Sequence, residues 1–269
     1  RADSPLVRGL ALRSLSSLAF QGLQDQLGAL IESGLADRSA YVRKTAVLAA
    51  GKLHRTCPRT FGAFDLLDAL YERLGDPDAL VCTNAVAVLD AVHGAAGDGG
   101  LLVNHRLAHG MLTRLGGLSP GQRCVALDLA AQYAPQTEAE MFDIMNLVEG
   151  HLHGSSSAVV LAAAKVLLKV TQNRPELHLQ VYERVKGPLL DLMLTAPADV
   201  AFVCLCHIRL LAARQPQVFA GRYADFYPQC TDPHYIRELK LAVLETVASD
   251  RSAPDILHQL GQFVADFAD

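Results

Sequence analysis

Tryptophan is absent from this chain of 269 residues, and asparagine is sparse. No regular Trp/Asn recognition ladder can therefore line one of its surfaces. Long hydrophobic runs are missing as well: no stretch reaches the roughly 20 uninterrupted apolar residues of a membrane-spanning helix. No alternating strand pattern stands out. The GxxxxGK[ST], GxGxxG, GxSxG and HExxH spacings and the protein-kinase signatures do not occur, which removes the main sequence warrants for nucleotide, hydrolase or metalloprotease chemistry. There is no initiator Met and no charged-then-apolar leader pattern at the start.

Charge is also in short supply. Charged residues make up 19% of the chain and the net charge is −4. A sequence-independent grip on nucleic acid needs a strongly basic face, so nucleic acid is not an expected partner. The six cysteines, Cys57, Cys82, Cys124, Cys204, Cys206 and Cys230, are scattered and mostly set in apolar stretches. They read as reduced, buried thiols rather than a disulfide framework. An apolar content of 51% is too high for disorder.

What the chain does contain is a recurring phrase: a helix-starting residue, an apolar pair ending in Val or Ile, and a small residue four positions later. It appears at Val7 with Ala11, Val42 with Ala46, Val81 with Ala85, Val160 with Ala164 and Val200 with Cys204. A looser copy at Ile236 has Lys240 where the small residue should stand. The anchors differ by 35, 39, 79, 40 and 36 residues, so one period near 40 runs through the chain, with a degenerate copy near Cys124 inside the gap of 79. That is the length of a HEAT or armadillo helical hairpin. The spacing predicts an all-α fold, an α-α superhelix of about seven helical hairpins, as a single array over 1–269.

Helical spacing covers about 5–18, 23–33, 39–54, 62–74, 77–93, 101–115, 120–133, 137–153, 156–173, 176–195, 198–214, 216–229, 233–248 and 254–266. Small residues at the fourth position of each stripe let a partner helix approach closely. Prolines such as Pro5, Pro120 and Pro175 fall at first turns, where a missing N–H costs nothing. Gly94–Gly100 is the longest expected loop, and Gly187-Pro188 is expected to kink or split a long helix.

Candidate chemistry is thin. His105 and His109, at i and i+4, could present two imidazoles, but no third ligand sits nearby. His151 and His153 flank a helix end. Cys204 and His207 fall on an apolar stripe as an expected core thiol and a satisfied core histidine, and Cys206, two residues on, diverges from Cys204 by about 200°. Gly51-Lys52-Leu53 lies inside a helix and lacks phosphate-loop spacing. Arg8 with Arg13, Arg43 with Lys44, and Arg184 with Lys186 read as solvated basic faces, with contact to a partner or acidic headgroup the lesser alternative. No catalytic, metal or cofactor residue is assigned, and no enzyme activity is expected.

Four phrases carry a resemblance. Ser39–His54 resembles the YVRKTA-containing repeat of the beta-adaptins, the large beta subunits of heterotetrameric adaptor protein complexes. Ser4–Leu15 is similar to the repeat before it, and Ser157–Val170 and Thr231–Leu244 resemble later phrases in the same order. Segments at Asn104–His109, Met141–Leu147, Glu183–Leu190 and Leu205–Arg209 are most similar to the beta subunit of the fourth adaptor complex. The resemblance implies a non-enzymatic trunk that packs with a second large subunit, a medium and a small subunit. It also implies recruitment, by a small GTPase of the ADP-ribosylation factor class, to trans-Golgi network and endosomal membranes as a peripheral coat. On this reading the chain is expected to be a trunk fragment truncated at both ends. Periodicity alone leaves open another helical-repeat scaffold, such as a nuclear transport receptor or phosphatase scaffold.

Overall fold

The computed structural model describes residues 4–18, 22, 24–96 and 101–268, and they contain helices, turns and no strand. The chain divides into two compact units, Arg1–Tyr133 and Ala134–Asp269. In the first unit the helices are α1 (Pro5–Leu15), α2 (Gln24–Leu35), α3 (Ala40–Thr56), α4 (Pro58–Ala63), α5 (Leu66–Glu72), α6 (Ala79–Ala96), α7 (His105–Leu112) and α8 (Pro120–Ala130). The second holds α9 (Glu138–Glu149), α10 (Ser157–Val170), α11 (Pro175–Thr195), α12 (Ala198–Arg214), α13 (Gln217–Ala220), α14 (His234–Val247) and α15 (Ala253–Ala268).

In the first unit α1, α3, α6 and α8 pack side by side in one row, while α2, α5 and α7 each lean on a member of that row. The repeated phrase builds it. Val42, Ala46, Ala49 and Leu53 are buried along α3, as are Val81, Ala85, Val88 and Val92 along α6. The small residues bring helices close: a methyl group on Gly51 would lie 3.0 Å from Val88 of α6. The degenerate copy falls into the same register, with Gln122 at the anchor position and a fully buried Ala126 four residues on. The first copy does not follow the rule, because Val7 is 53% exposed and α1 buries Gly9 and Leu12 instead. Gly9 is required there: a Cβ would stand 2.3 Å from the Tyr41 ring of α3.

The second unit again buries most copies of the phrase. α10 packs on α9 and α11, α11 on α12, and α12 on α14. Val160, Ala164, Cys204 and Ile236 are buried, and Phe219 meets Phe226 edge-on at 6.4 Å between ring centres. Lys240 is also buried, its Nζ 2.7 Å from Asp232, so a paired cation replaces the small residue.

Four expectations about elements are corrected. The helix expected over 62–74 is two helices, because Asp65 takes a left-handed conformation at φ 48° between them. Gly94-Ala95-Ala96 continue α6 rather than begin a loop, while 97–100 lie outside the described residues. Pro188 does not split α11, which runs unbroken from Pro175 to Thr195; Val185, Pro188, Leu189 and Leu190 are all buried, so packing on both sides of the proline holds the halves together. The stretch 216–229 holds only the short α13 and a 3₁₀ turn at Tyr223–Phe226.

Candidate interaction surface

The residues read as solvated basic faces divide into two groups. Arg8 and Arg43, each directly after an anchor valine, are held in ion pairs between repeats. Arg8 donates from Nε and Nη to the two carboxylate oxygens of Asp37, both at 2.9 Å. Arg43 does the same to Asp76, at 2.7 and 2.8 Å, with side-chain exposures of 11% and 1%. The expectation of solvated faces fails here because the planar guanidinium fork reaches a carboxylate in the turn ahead of the next helix.

Each carboxylate has a second task. Asp37 accepts the backbone N–H of Ser39 at 2.8 Å, and Asp76 that of Asp78 at 2.9 Å, so both shape the entrance to the next helix. The Arg8 bond, the Ser39 N–H and the nearby guanidinium charges outweigh desolvation and hold the Asp37 carboxyl below the usual carboxylate range. Burial would raise Asp76, but the Arg43 bond, the Asp78 N–H and the charges of Arg43 and Arg73 outweigh it and hold the carboxyl low. The later turn is gathered in as well: Arg73 donates to the Leu35 carbonyl at 2.9 Å, and Arg114 to the Asp76 carbonyl at 3.0 Å. Arg123, after the degenerate anchor, instead donates to the Leu115 and Leu118 carbonyls, both at 2.9 Å.

The other basic residues remain at the surface. Arg13, Lys44 and Lys52 border a groove of about 470 Å³ in the first unit. Its floor is the stripe Tyr41, Lys44, Thr45, Leu48, Ala49 and Lys52 of α3; α1 and the residue capping it supply Arg13 and Ser16, and α6 supplies Leu80 and Asn84. No carboxylate lines it. Lys44 sits 5.2 Å from the Tyr41 ring centre, and Lys52 donates to the Ser17 hydroxyl at 2.9 Å, contacts that leave both ammonium charges uncompensated. In the second unit Lys186 pairs with Glu183, and Arg184 with Glu149 at 3.5 Å.

The remaining candidates fall into small local groups. His105 and His109 have ring centres 5.6 Å apart, and His105 also neighbours Tyr133. No group of three or more His, Cys, Asp or Glu able to hold a metal occurs among the described residues. His151 is half-buried and His153 exposed on the turn after α9. Burial pushes the Cys204 thiol up to about 11 and the half-buried His207 down, away from a reactive thiolate or imidazolium. All six cysteines are free thiols; Cys230 is exposed, contrary to the expectation of burial. No helix of the described residues is long and apolar enough to cross a membrane.

Comparison with known proteins fixes the class. The family model of the adaptin N-terminal region matches residues 2–269, and the chain belongs to that family. It is 34% identical over 98% of its length to the mouse AP-4 complex subunit beta-1, covering 36% of that protein. Beta-adaptin-like protein A of Arabidopsis thaliana is 36% identical over 98% of the chain, which covers 32% of that relative. The AP-4 complex subunit beta of Dictyostelium discoideum is 35% identical over 97%, with 31% of it covered. The chain thus spans about a third of the length of the curated relatives it matches. A chain from a homology model of the full-length AP-3 complex in an intermediate open conformation superposes with a TM-score of 0.60 at 19% identity, over 98% of this chain and 47% of that one. That likeness shows the helical-repeat fold. Two of these three relatives are named as complex subunits and the third as beta-adaptin-like, and none carries the name of an enzyme.

Proposed function

We propose that the chain is part of the trunk of a beta-type large adaptor subunit, most like that of the fourth adaptor complex, and serves as a non-enzymatic scaffold in vesicle-mediated protein transport. The observation that carries this is the family match along residues 2–269, joined to 34–36% identity with beta subunits over nearly the whole chain. In this role the helical repeats form one trunk that holds a second large subunit, a medium subunit and a small subunit. A small GTPase of the ADP-ribosylation factor class recruits the assembly to the trans-Golgi network and endosomes, where it sorts cargo as a peripheral coat. The match to the adaptin family disfavours the alternative of a nuclear transport receptor or phosphatase scaffold.

The test is affinity purification of the full-length protein from cells. A medium adaptor subunit should co-purify in near-stoichiometric amount. Recovery of none of the other three subunits would sink the proposal.

A further inference from the structure

The groove on the first unit joins two properties: a concave shape and uncompensated positive charge. On a chain of net charge −4, three cations converge without a carboxylate in the lining. The cations are also ordered. Lys44, Leu48 and Lys52 follow one another at four-residue steps along α3, so at 1.5 Å per residue neighbours are about 6 Å apart along the axis and the two lysines about 12 Å apart. Leu48, between them, is 49% exposed.

An extended peptide has nearly the same repeat. Side chains on one face recur every second residue, at about 6.6 Å, so two acidic residues four apart stand about 13 Å from each other with one same-face residue between them. We propose that this groove docks an extended acidic segment of a protein partner, in which two carboxylates flank an apolar side chain at alternate positions. The carboxylates meet Lys44 and Lys52, and the apolar side chain covers Leu48. Arg13, across the groove on α1, offers its guanidinium to a third acid or to the peptide carbonyls. Asn84, on the α6 wall, supplies a side-chain amide that can pair with backbone groups of the segment.

A flat membrane suits the site less well. Lys44 and Lys52 are half-buried on the floor between α1 and α6, where a slender chain or a single phosphate headgroup can enter and a bilayer surface cannot. The alternation of charge, apolar surface and charge favours the chain over the headgroup, since a sugar phosphate gains nothing from Leu48.

The experiment is fluorescence anisotropy of the full-length protein with a labelled peptide bearing two glutamates that flank a leucine at alternate positions. A matching peptide with glutamine for glutamate is the control, which tests the site without altering the protein. The glutamate peptide should bind, with affinity falling as salt rises, and the glutamine peptide should not. Lys44→Glu with Lys52→Glu should weaken binding about tenfold, the sum of two modest charge contacts. Lys44→Arg should retain binding, and Lys169→Glu on the second unit should leave it unchanged. Equal binding of the two peptides, or no binding of either, overturns the proposal. So does capture by phosphoinositide-bearing vesicles through the same lysines when the acidic peptide does not bind. The adaptor assignment stands or falls separately, on co-purification with the other subunits.

Discussion

The two units join neighbouring repeats by different means. In the first, the bonds from α1 to the turn before α3, and from α3 to the turn before α6, are bidentate and shielded; Asp76 is only 1% exposed at its side chain. In the second, two pairs that bridge repeats lie open to water: Arg174 meets Glu138 at exposures of 41% and 64%, and Arg184 meets Glu149 at 42% and 43%. A shielded pair there, Lys240 with Asp232, closes a loop of eight residues within a single repeat. Apolar burial runs through both stacks, by side chains such as Ile31, Leu66 and Leu89 in the first and Tyr182, Leu205, Phe219 and Phe226 in the second, each 2% exposed or less. One period can therefore be held by burial with shielded polar staples added between repeats or with exposed pairs in their place, and the two should respond differently to mutation and pH.

The sharpest way to break that contrast is Asp76→Ala. It strips Arg43 of a buried partner and removes the acceptor of the Asp78 N–H, and should destabilise the first unit by about 3 kcal/mol. Hydrogen exchange should quicken in α3 and α6 and stay unchanged in α12 and α14. Equal acceleration in both units would erase the distinction.

Acid provides a milder version. Asp37 and Asp76 are held below their unfolded values in the folded chain, so their contribution is complete above the unfolded carboxylate value of about 4 and fades as pH falls through the lower folded values. On lowering pH from 5 toward 2, exchange in the first unit should rise before that in the second. Asp76→Asn should flatten this dependence.

The smallest effect is expected in the second unit, where Arg174→Ala removes an exposed pair. A change within about 0.5 kcal/mol in thermal melts is anticipated. A loss of several times that size would mean that the open pairs matter as much as the shielded ones.

Much of the architecture could be read from the spacing of small and branched residues. Val42 with Ala46 and Val81 with Ala85 lie on buried stripes because a helix brings positions four apart to one face. Val7 misleads because the rule assigns a stripe without saying which neighbour it meets, and α1 meets α3 at Gly9 and meets Gly34 of α2 at Leu12. Nor could the partners of Arg8 and Arg43 be found locally, since they stand 29 and 33 residues away. The break at Asp65 was hidden because a left-handed aspartate leaves no helix-ending glycine to read. The basic groove was visible only in pieces: Arg13 and Lys44 appeared in separate clusters and Lys52 inside a rejected motif, and packing alone brings them together.

The double duty of Asp37 and Asp76 also bears on where the repeats can change length. The first two intervals between anchors, 35 and 39 residues, differ by four, yet Asp37 precedes Val42 and Asp76 precedes Val81 by the same five positions. The segment from carboxylate to anchor is clamped at both ends, by the arginine behind it and the helix entrance ahead. Insertions must therefore be absorbed at the opposite edge of the hairpin, where α4 and α5 are already broken at Asp65. In these two repeats one edge keeps its length while the other is free to drift.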